Sequence, residues 1–327
     1  MADAHRIFLS ASAFELRSQL APEVMLRSCL SRLRLPDGPP HRLYLGSILE
    51  NMSEKQERFR NRDAFRPDEE PGLRRLVREA FGGGVPLVRV SAACAGGAAA
   101  LVLASHAIRF EGLPSVLAMG YEEASALART GFTCLRTLSR GRMMPFTRGR
   151  DGFTLAPGCG ALLLSRAPAA SICLSGFAVT NDAHHPTGPH REGAGLKRCI
   201  EACLASAGKA PREVGCIRLN GSATSKTDLS EYQALTAVFG SRLREIPAYV
   251  LKPKLGYLQG AAGVVETAIA ARLLARRLVP AVPQELVRDL EFELGLSGQP
   301  RRMSGNNCLL LFAGFGGQNV CLLLESV

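Results

Sequence analysis

The sequence predicts an α/β protein whose sheets are buried on both faces and whose two halves resemble each other. Three observations carry that prediction. Short compact apolar runs alternate with amphipathic or alanine-rich stretches of helical length, the rhythm of strands alternating with crossover helices. Runs such as 85–90 and 308–312 are continuous rather than alternating, as in strands covered on both sides. Each half also contains a strand, a small-residue turn and an alanine-rich helix, once around Cys94 and once around 257–263. No period of a repeat array is present, which excludes a solenoid.

Taken in order, residues 5–10 read as a short first strand, and 21–33 as an amphipathic helix ended by Pro36. Residues 41–48 form a second strand closed by Gly46 and Ser47. Residues 53–78 are the most charged stretch; broken by Pro67 and Pro71, they read as an exposed excursion. The apolar run 85–90 reads as a buried strand leading through Ser91-Ala92-Ala93-Cys94-Ala95-Gly96-Gly97 into a helix that ends near Arg109. Residues 115–119 form another strand, and 158–165 and 172–179 are read as neighbouring strands. The second half repeats the rhythm: helix 197–207, strand 214–219, helix 229–239, strand 247–251, helix 260–277, then strands 308–312 and 320–324 around a glycine-rich turn. A break near residue 168 divides the chain into units 1–168 and 169–327.

Composition narrows the class. With 46% apolar and 21% charged residues, the chain is too apolar to remain disordered. Its net charge of +11 favours acidic partners. Aromatic residues are only 6% and Trp is absent, which argues against a stacking platform for single-stranded nucleic acid. The basic residues are dispersed, so neither nucleic acid nor a membrane surface is the expected partner. No uninterrupted apolar stretch reaches the roughly 18 residues of a membrane span, and the N-terminus carries no signal-peptide pattern. The ten cysteines form no CxxC pair and no compact framework, and most sit in apolar runs as small hydrophobes. A reduced, cytoplasmic setting is expected.

Cys94 is the foremost candidate for chemistry. A sharp turn between a buried strand and a helix exposes a nucleophile, and the positive end of the following helix lowers a thiol pKa. A packing cysteine is the competing reading. The segment 314–319 joins two apolar strands and can aim backbone N–H groups at a developing oxyanion; as a plain hairpin turn it needs no further role. His184, His185 and His190 lack a carboxylate or cysteine at ligand spacing, so no metal is expected there. Cys199 and Cys203, four apart on one helix face, read as core.

Together these segments resemble the β-ketoacyl synthases, the condensing enzymes of fatty-acid and polyketide synthesis. The resemblance runs from about Pro86 to the end, with its parts in order. Val90-Ser91-Ala92-Ala93-Cys94 is similar to the nucleophile elbow, Arg150-Asp151-Gly152-Phe153 to the RDGF segment, and Asn181-Asp182-Ala183-His184-His185 with Gly193-Ala194-Gly195 to a family loop. Asn220-Gly221-Ser222-Ala223-Thr224 stands where the family has HGTGT. Lys252-Pro253-Lys254-Leu255-Gly256-Tyr257 stands where it has KxxxGH, and Gly314-Phe315-Gly316-Gly317-Gln318-Asn319 where it has GFGGTN.

The resemblance implies a thiolase-like fold: duplicated βαβαβ halves in a layered α-β-α-β-α architecture. It implies Cys94 as nucleophile, Lys252 as the structural and electrostatic lysine, and backbone N–H groups of Cys94, Phe315 and Gly316 around an oxyanion. It implies no cofactor and no metal. It places Asn220 and Tyr257 at the two histidine positions of decarboxylative condensation. Asn220 donates from a neutral amide and Tyr257 from a hydroxyl, and neither is a base near neutral pH. Losing one such donor typically costs ~10²–10³ in rate.

The reading is therefore a synthase-like subunit of a type II fatty-acid or polyketide system with little condensing activity, partnering an active ketosynthase as chain-length factors do. The alternative is a Cys94-dependent acyltransferase, thioesterase or unusual condensing enzyme. Either reading implies a homo- or heterodimer and an acidic acyl carrier protein bearing the acyl chain on phosphopantetheine. Arg142, Arg148, Arg272, Arg276 and Arg277 are the expected steering residues. The 93 residues before Cys94 are fewer than the family usually has, and are expected to form a shortened first βα unit.

Overall fold

Alternate residues of one strand feed different cores. On strand Asn307–Gly314, Cys308, Leu310 and Phe312 point into a central core, while Leu309 and Leu311 point into an outer one. This two-sided burial explains the unbroken apolar runs of the sequence. The computed structural model describes residues 6–16, 22–36, 38–48, 55–56, 58, 60–61, 72–123, 125–167 and 170–327.

The strands are β1 (Ile7–Glu15), β2 (Leu43–Gly46), β3 (Leu87–Val90), β4 (Ser115–Glu122), β5 (Gly158–Ser165), β6 (Ile172–Asn181), β7 (Ile217–Arg218), β8 (Ala248–Tyr249), β9 (Leu278–Val279), β10 (Arg301–Arg302), β11 (Asn307–Gly314) and β12 (Gln318–Ser326). Ten of them are hydrogen-bonded in the order β3-β2-β4-β5-β1-β6-β12-β11-β7-β8, and β9 and β10 form a separate ribbon. From the centre outward one side reads β1-β5-β4-β2-β3 and the other β6-β12-β11-β7-β8. On each side the first two pairings are antiparallel and the last two parallel. Both sides thus place their first, fifth, fourth, second and third strands in the same order, and only a short pairing, Ile7 with Leu174 and Phe8 with Cys173, joins them.

Helices Gly96–Phe110 and Ala262–Ala275 lie between the two sides and fill the central core with Ala98, Leu101, Ile108, Val264 and Leu274. Gly97 and Gly263 permit their contact: a Cβ on Gly263 would lie 1.9 Å from the Ala98 nitrogen, and one on Gly97 2.6 Å from the Gly260 oxygen. Helices Pro22–Ser31 and Gly72–Phe81 cover one outer face with Met25, Leu26, Leu76 and Val77. Helices Ala194–Ser206 and Ser225–Phe239 cover the other with Leu196, Ile200 and Leu235. The result is the expected five-layered α-β-α-β-α architecture.

Several expectations need correction. The run 85–90 is not a buried strand: β3 is an edge, with Val88 38% exposed and Arg89 exposed. Strands β5 and β6 are not neighbours, because β1 lies between them. The first strand extends to Glu15. Much of 53–78 lies outside the described residues, as does the break at 168, but Gly72–Phe81 is a helix that buries Leu76 and Val77 rather than an excursion. Helix Ala126–Cys134 was not foreseen. Residues 93–110 are long and apolar enough to cross a membrane, contrary to the expectation from uninterrupted runs, and here they form the elbow and central core helix, 67% buried. All ten cysteines are free thiols, and only Cys134 is exposed.

Candidate functional site

The chain leaves β3 through a left-handed turn at Ala93 (φ +47°) and enters the central helix at Gly96. This elbow holds Cys94, but it does not expose the sulfur: the residue is only 5% accessible. Burial dominates and pushes the thiol up to about 11, opposed by hydrogen bonds from the Tyr257 hydroxyl and the Phe315 N–H and by the charge of Lys252, while Glu122 adds to the rise. The expected lowering by the helix end is therefore overturned. Removal from water outweighs a dipole that acts only within about the first turn.

Tyr257 is clamped by backbone pairing, its N–H donating to Thr154 O (2.7 Å) and its carbonyl accepting from Ala156 N (3.1 Å). The RDGF segment makes that clamp possible. Gly152 passes where a Cβ would strike Thr137 O at 2.2 Å, which turns Phe153 inward. The Phe153 ring then packs on Tyr257 with centroids 4.5 Å apart. Cys94, Met143, Phe153, Ala223 and Tyr257 form one buried apolar cluster, flanked by Ile48, Phe132, Leu138 and Leu155.

Asn220 is held from two sides. Its N–H and that of Gly221 donate to the Glu231 carboxylate at 2.6 and 2.9 Å. Lys252 Nζ donates to its carbonyl oxygen (2.5 Å) and to its side-chain Oδ1 (3.2 Å). An ammonium offers only donors, so Oδ1 faces Lys252 and the amide Nδ2 is turned away from it. Lys252 is 1% exposed, and burial pulls its pKa down. Its ammonium lies 3.6 Å from Glu266, whose other oxygen meets Arg218 at 2.9 Å. Arg218 Nε and Nη2 have no hydrogen-bond partner among the described residues; the guanidinium lies 3.9 Å from the Phe312 ring centroid instead.

Asp228 accepts from Phe146 N (2.7 Å) and Ala223 N (3.1 Å), and so fixes the Asn220–Thr224 loop. Burial pushes its carboxyl up to about 7, with Glu231 adding to the rise. The sequence reading missed Asp228, Glu231, Glu266 and Arg218. Two of them carried a signal: Glu266 is a single acid in an apolar helix, and Arg218 a charge within an apolar run.

The glycine-rich turn closes the other wall. Gly316 and Gly317 take φ +77° and +73°, a region open to glycine. The Phe315 backbone opposes the rise of the Cys94 thiol, whereas Gly316 N–H is already bound to Pro186 O at 2.6 Å. Gly316 is therefore not free to serve an oxyanion, a correction to the expected set of Cys94, Phe315 and Gly316. Asn319 and the His190 N–H both bind Asp182, tying the 181–190 loop to this turn. The His184 and His190 rings meet edge to face at 5.1 Å, and His185 Nδ1 accepts from Thr187 and Gly188 N–H groups.

A cleft of about 320 Å³ runs between these segments. Arg136, Arg150 and Lys226 line it together with the acids Asp151 and Asp182, Ser222 and Thr224 supply hydroxyls, and it reaches Asn220, Tyr257 and Phe315 but not Cys94. Arg272, Arg276 and Arg277 are not beside it. They lie toward and just past the far end of a helix whose first turn packs on the elbow, about 14 Å away for Arg272 and about 20 Å for Arg276 and Arg277 at 1.5 Å per residue. Arg142 is exposed and pairs with Glu285 at 3.3 Å; Arg148 is exposed.

The strand order and the elbow facing a glycine-rich turn across a cleft define a condensing-enzyme fold of the thiolase type. Residues 77–170 match the β-ketoacyl synthase N-terminal domain and residues 172–284 the β-ketoacyl synthase C-terminal domain. The chain belongs to the β-ketoacyl synthase family. It is 29% identical over 260 residues to 3-oxoacyl-(acyl-carrier-protein) synthase 2 of Vibrio harveyi, covering 74% of this chain and 62% of that one. The corresponding synthase of Coxiella burnetii is also 29% identical, over 261 residues, with 74% and 62% covered. The chain thus spans less than two thirds of the length of these curated relatives. Among solved structures, the ketosynthase ApeO with its chain length factor ApeC from Xenorhabdus doucetiae superposes with a TM-score of 0.77 at 25% identity, covering 88% of this chain and 75% of that chain. The ishigamide ketosynthase/chain length factor superposes with a TM-score of 0.83 at 18% identity, covering 99% and 100%, a likeness of fold.

Proposed function

We propose that this chain is a ketosynthase-like subunit of a type II fatty-acid or polyketide system, with little condensing activity of its own, acting beside an active ketosynthase as chain-length factors do. One observation carries the reading. The cleft is lined by Asn220 and Tyr257 where the family resemblance expects imidazoles. Decarboxylative condensation needs donors on the extender oxygen as carbon dioxide leaves. Tyr257 packs instead in the same buried apolar cluster as Cys94.

The partner reading draws on the sheet edges. At one end β8 is covered, its Ala248 N–H donating to Gly295 O at 2.9 Å. At the other end β3 is an outermost strand with Val88 exposed. An open edge strand is a template for pairing with another chain. The basic residues of the cleft and the net charge of +11 suit an acidic carrier protein in a cytoplasmic pathway.

A second reading, a working acyltransferase or condensing enzyme, draws on Asn220. With Oδ1 taken by Lys252, its Nδ2 is a directed donor for a thioester oxygen. Reconstitution with carrier protein and the active ketosynthase of the same system separates the two. The partner reading expects product formation that needs this chain yet survives its Cys94→Ala substitution. Condensation by this chain without the ketosynthase, abolished by Cys94→Ala, would overturn it.

A further inference from the structure

We infer that Tyr257 is the gate of this site: its ring walls the polar cleft off from the Cys94 sulfur and decides whether an electrophile reaches it. This goes beyond the partner-subunit reading, since it concerns access to one atom and needs neither carrier protein nor ketosynthase.

Four observations converge. The cleft is lined by Asn220, Tyr257 and Phe315 but not by Cys94, which is 5% exposed and packs in the same cluster as Tyr257. The space behind is apolar and filled, by Met143, Phe153 and Ala223 with Ile48, Phe132, Leu138 and Leu155 around them. The Tyr257 backbone is fixed by Thr154 and Ala156, so the gate opens only by side-chain rotation. Its ring is held by light contacts: Phe153 at 4.5 Å between ring centroids and the Lys252 ammonium 5.5 Å from the ring centroid. Such a ring stays closed in the free protein and can yield to an incoming chain.

The gate selects for a class of ligand. A pantetheine-borne thioester can enter the cleft and stop with its carbonyl at Asn220. Acylation requires the ring to swing aside. The Cys94 thiolate then attacks the thioester carbon, a new C–S bond forms, the C–S bond to pantetheine breaks, and the departing sulfur takes up the proton that Cys94 released. With the ring in place the cleft holds the thioester without this exchange.

Alkylation by iodoacetamide measures access directly, as the sulfur displaces iodide and loses its proton. Labelling of folded wild type, Tyr257→Phe, Tyr257→Val and Tyr257→Ala is followed by peptide mass. Exposed Cys134 serves as the internal reference, and Cys94→Ala identifies the site. Cys94 in wild type and in the Phe variant labels far more slowly than Cys134. In the Val and Ala variants its rate rises, by at least roughly tenfold in the latter, following access to the sulfur. The Phe variant separates gating from hydrogen bonding, because it removes the hydroxyl and keeps the ring. The Val variant keeps the core apolar and preserves the test should the Ala variant not fold. The inference fails if wild-type Cys94 labels as fast as it does in the Ala or Val variant, or if opening the ring position leaves its rate unchanged.

Discussion

Glu266→Gln tests how the buried charges hold the site. Arg218 and Lys252 are at most 1% exposed and share the Glu266 carboxylate at 2.9 and 3.6 Å. The substitution keeps the shape and removes the anion, leaving two buried cations beside each other with Glu231 as the remaining nearby carboxylate. Breaking a buried ion pair by removing one partner costs about 3–5 kcal/mol, because the other charge stays in a low-dielectric interior. The cation–π contact of Arg218 with Phe312 and the Asn220 oxygens on Lys252 offset part of this, so about 3 kcal/mol is expected. A double variant, Arg218→Met with Glu266→Leu, removes both charges and recovers most of the loss, since apolar replacement of a buried pair is often close to neutral. Urea unfolding reads both; with no Trp in the chain, far-UV circular dichroism is the probe. A loss under about 1 kcal/mol for Glu266→Gln, or a double variant as costly as the sum of its single substitutions, would refute the reasoning.

Two further outcomes are expected. Gly263→Ala places a Cβ 1.9 Å from the Ala98 nitrogen and 2.4 Å from the Gly97 carbonyl carbon, both backbone atoms; the two central helices must separate, and a large fall in melting temperature or loss of soluble protein follows, whereas an unchanged melt would contradict the packing. Asp228 has its carboxyl raised to about 7 by burial, from an ordinary 3.8. Between those values the folded state binds more protons than the unfolded one, so this group makes stability fall as pH rises, by at most about 1.4 kcal/mol per pH unit. Asp228→Asn should flatten unfolding free energy measured from pH 4 to 7, and an identical slope in the variant would rule the assignment out.

The sequence by itself determined the α/β class with sheets buried on both faces, most of the strand and helix order and, through the family resemblance, the motif residues Asn220, Tyr257 and Phe315 that line the cleft. Those features rest on local chemistry: apolar runs for strands buried on both faces, small residues at the elbow, and glycines at the turn of positive φ. Motif order was legible for the same reason, since Cys94, Asn220, Lys252, Tyr257 and Phe315 each stand in a recognisable local setting. Only the tertiary structure decided the state of Cys94. A helix end suggested an exposed, activated thiol, but burial depends on what arrives from 163 positions away in the chain, here the ring of Tyr257. The edge position of β3 was likewise invisible, because an apolar run reads alike at the centre or border of a sheet until its neighbours are known. The Arg218–Glu266–Lys252 pairing joins a strand residue to residues of two helices distant in sequence, and one side chain's partner is set by packing rather than by the residues beside it.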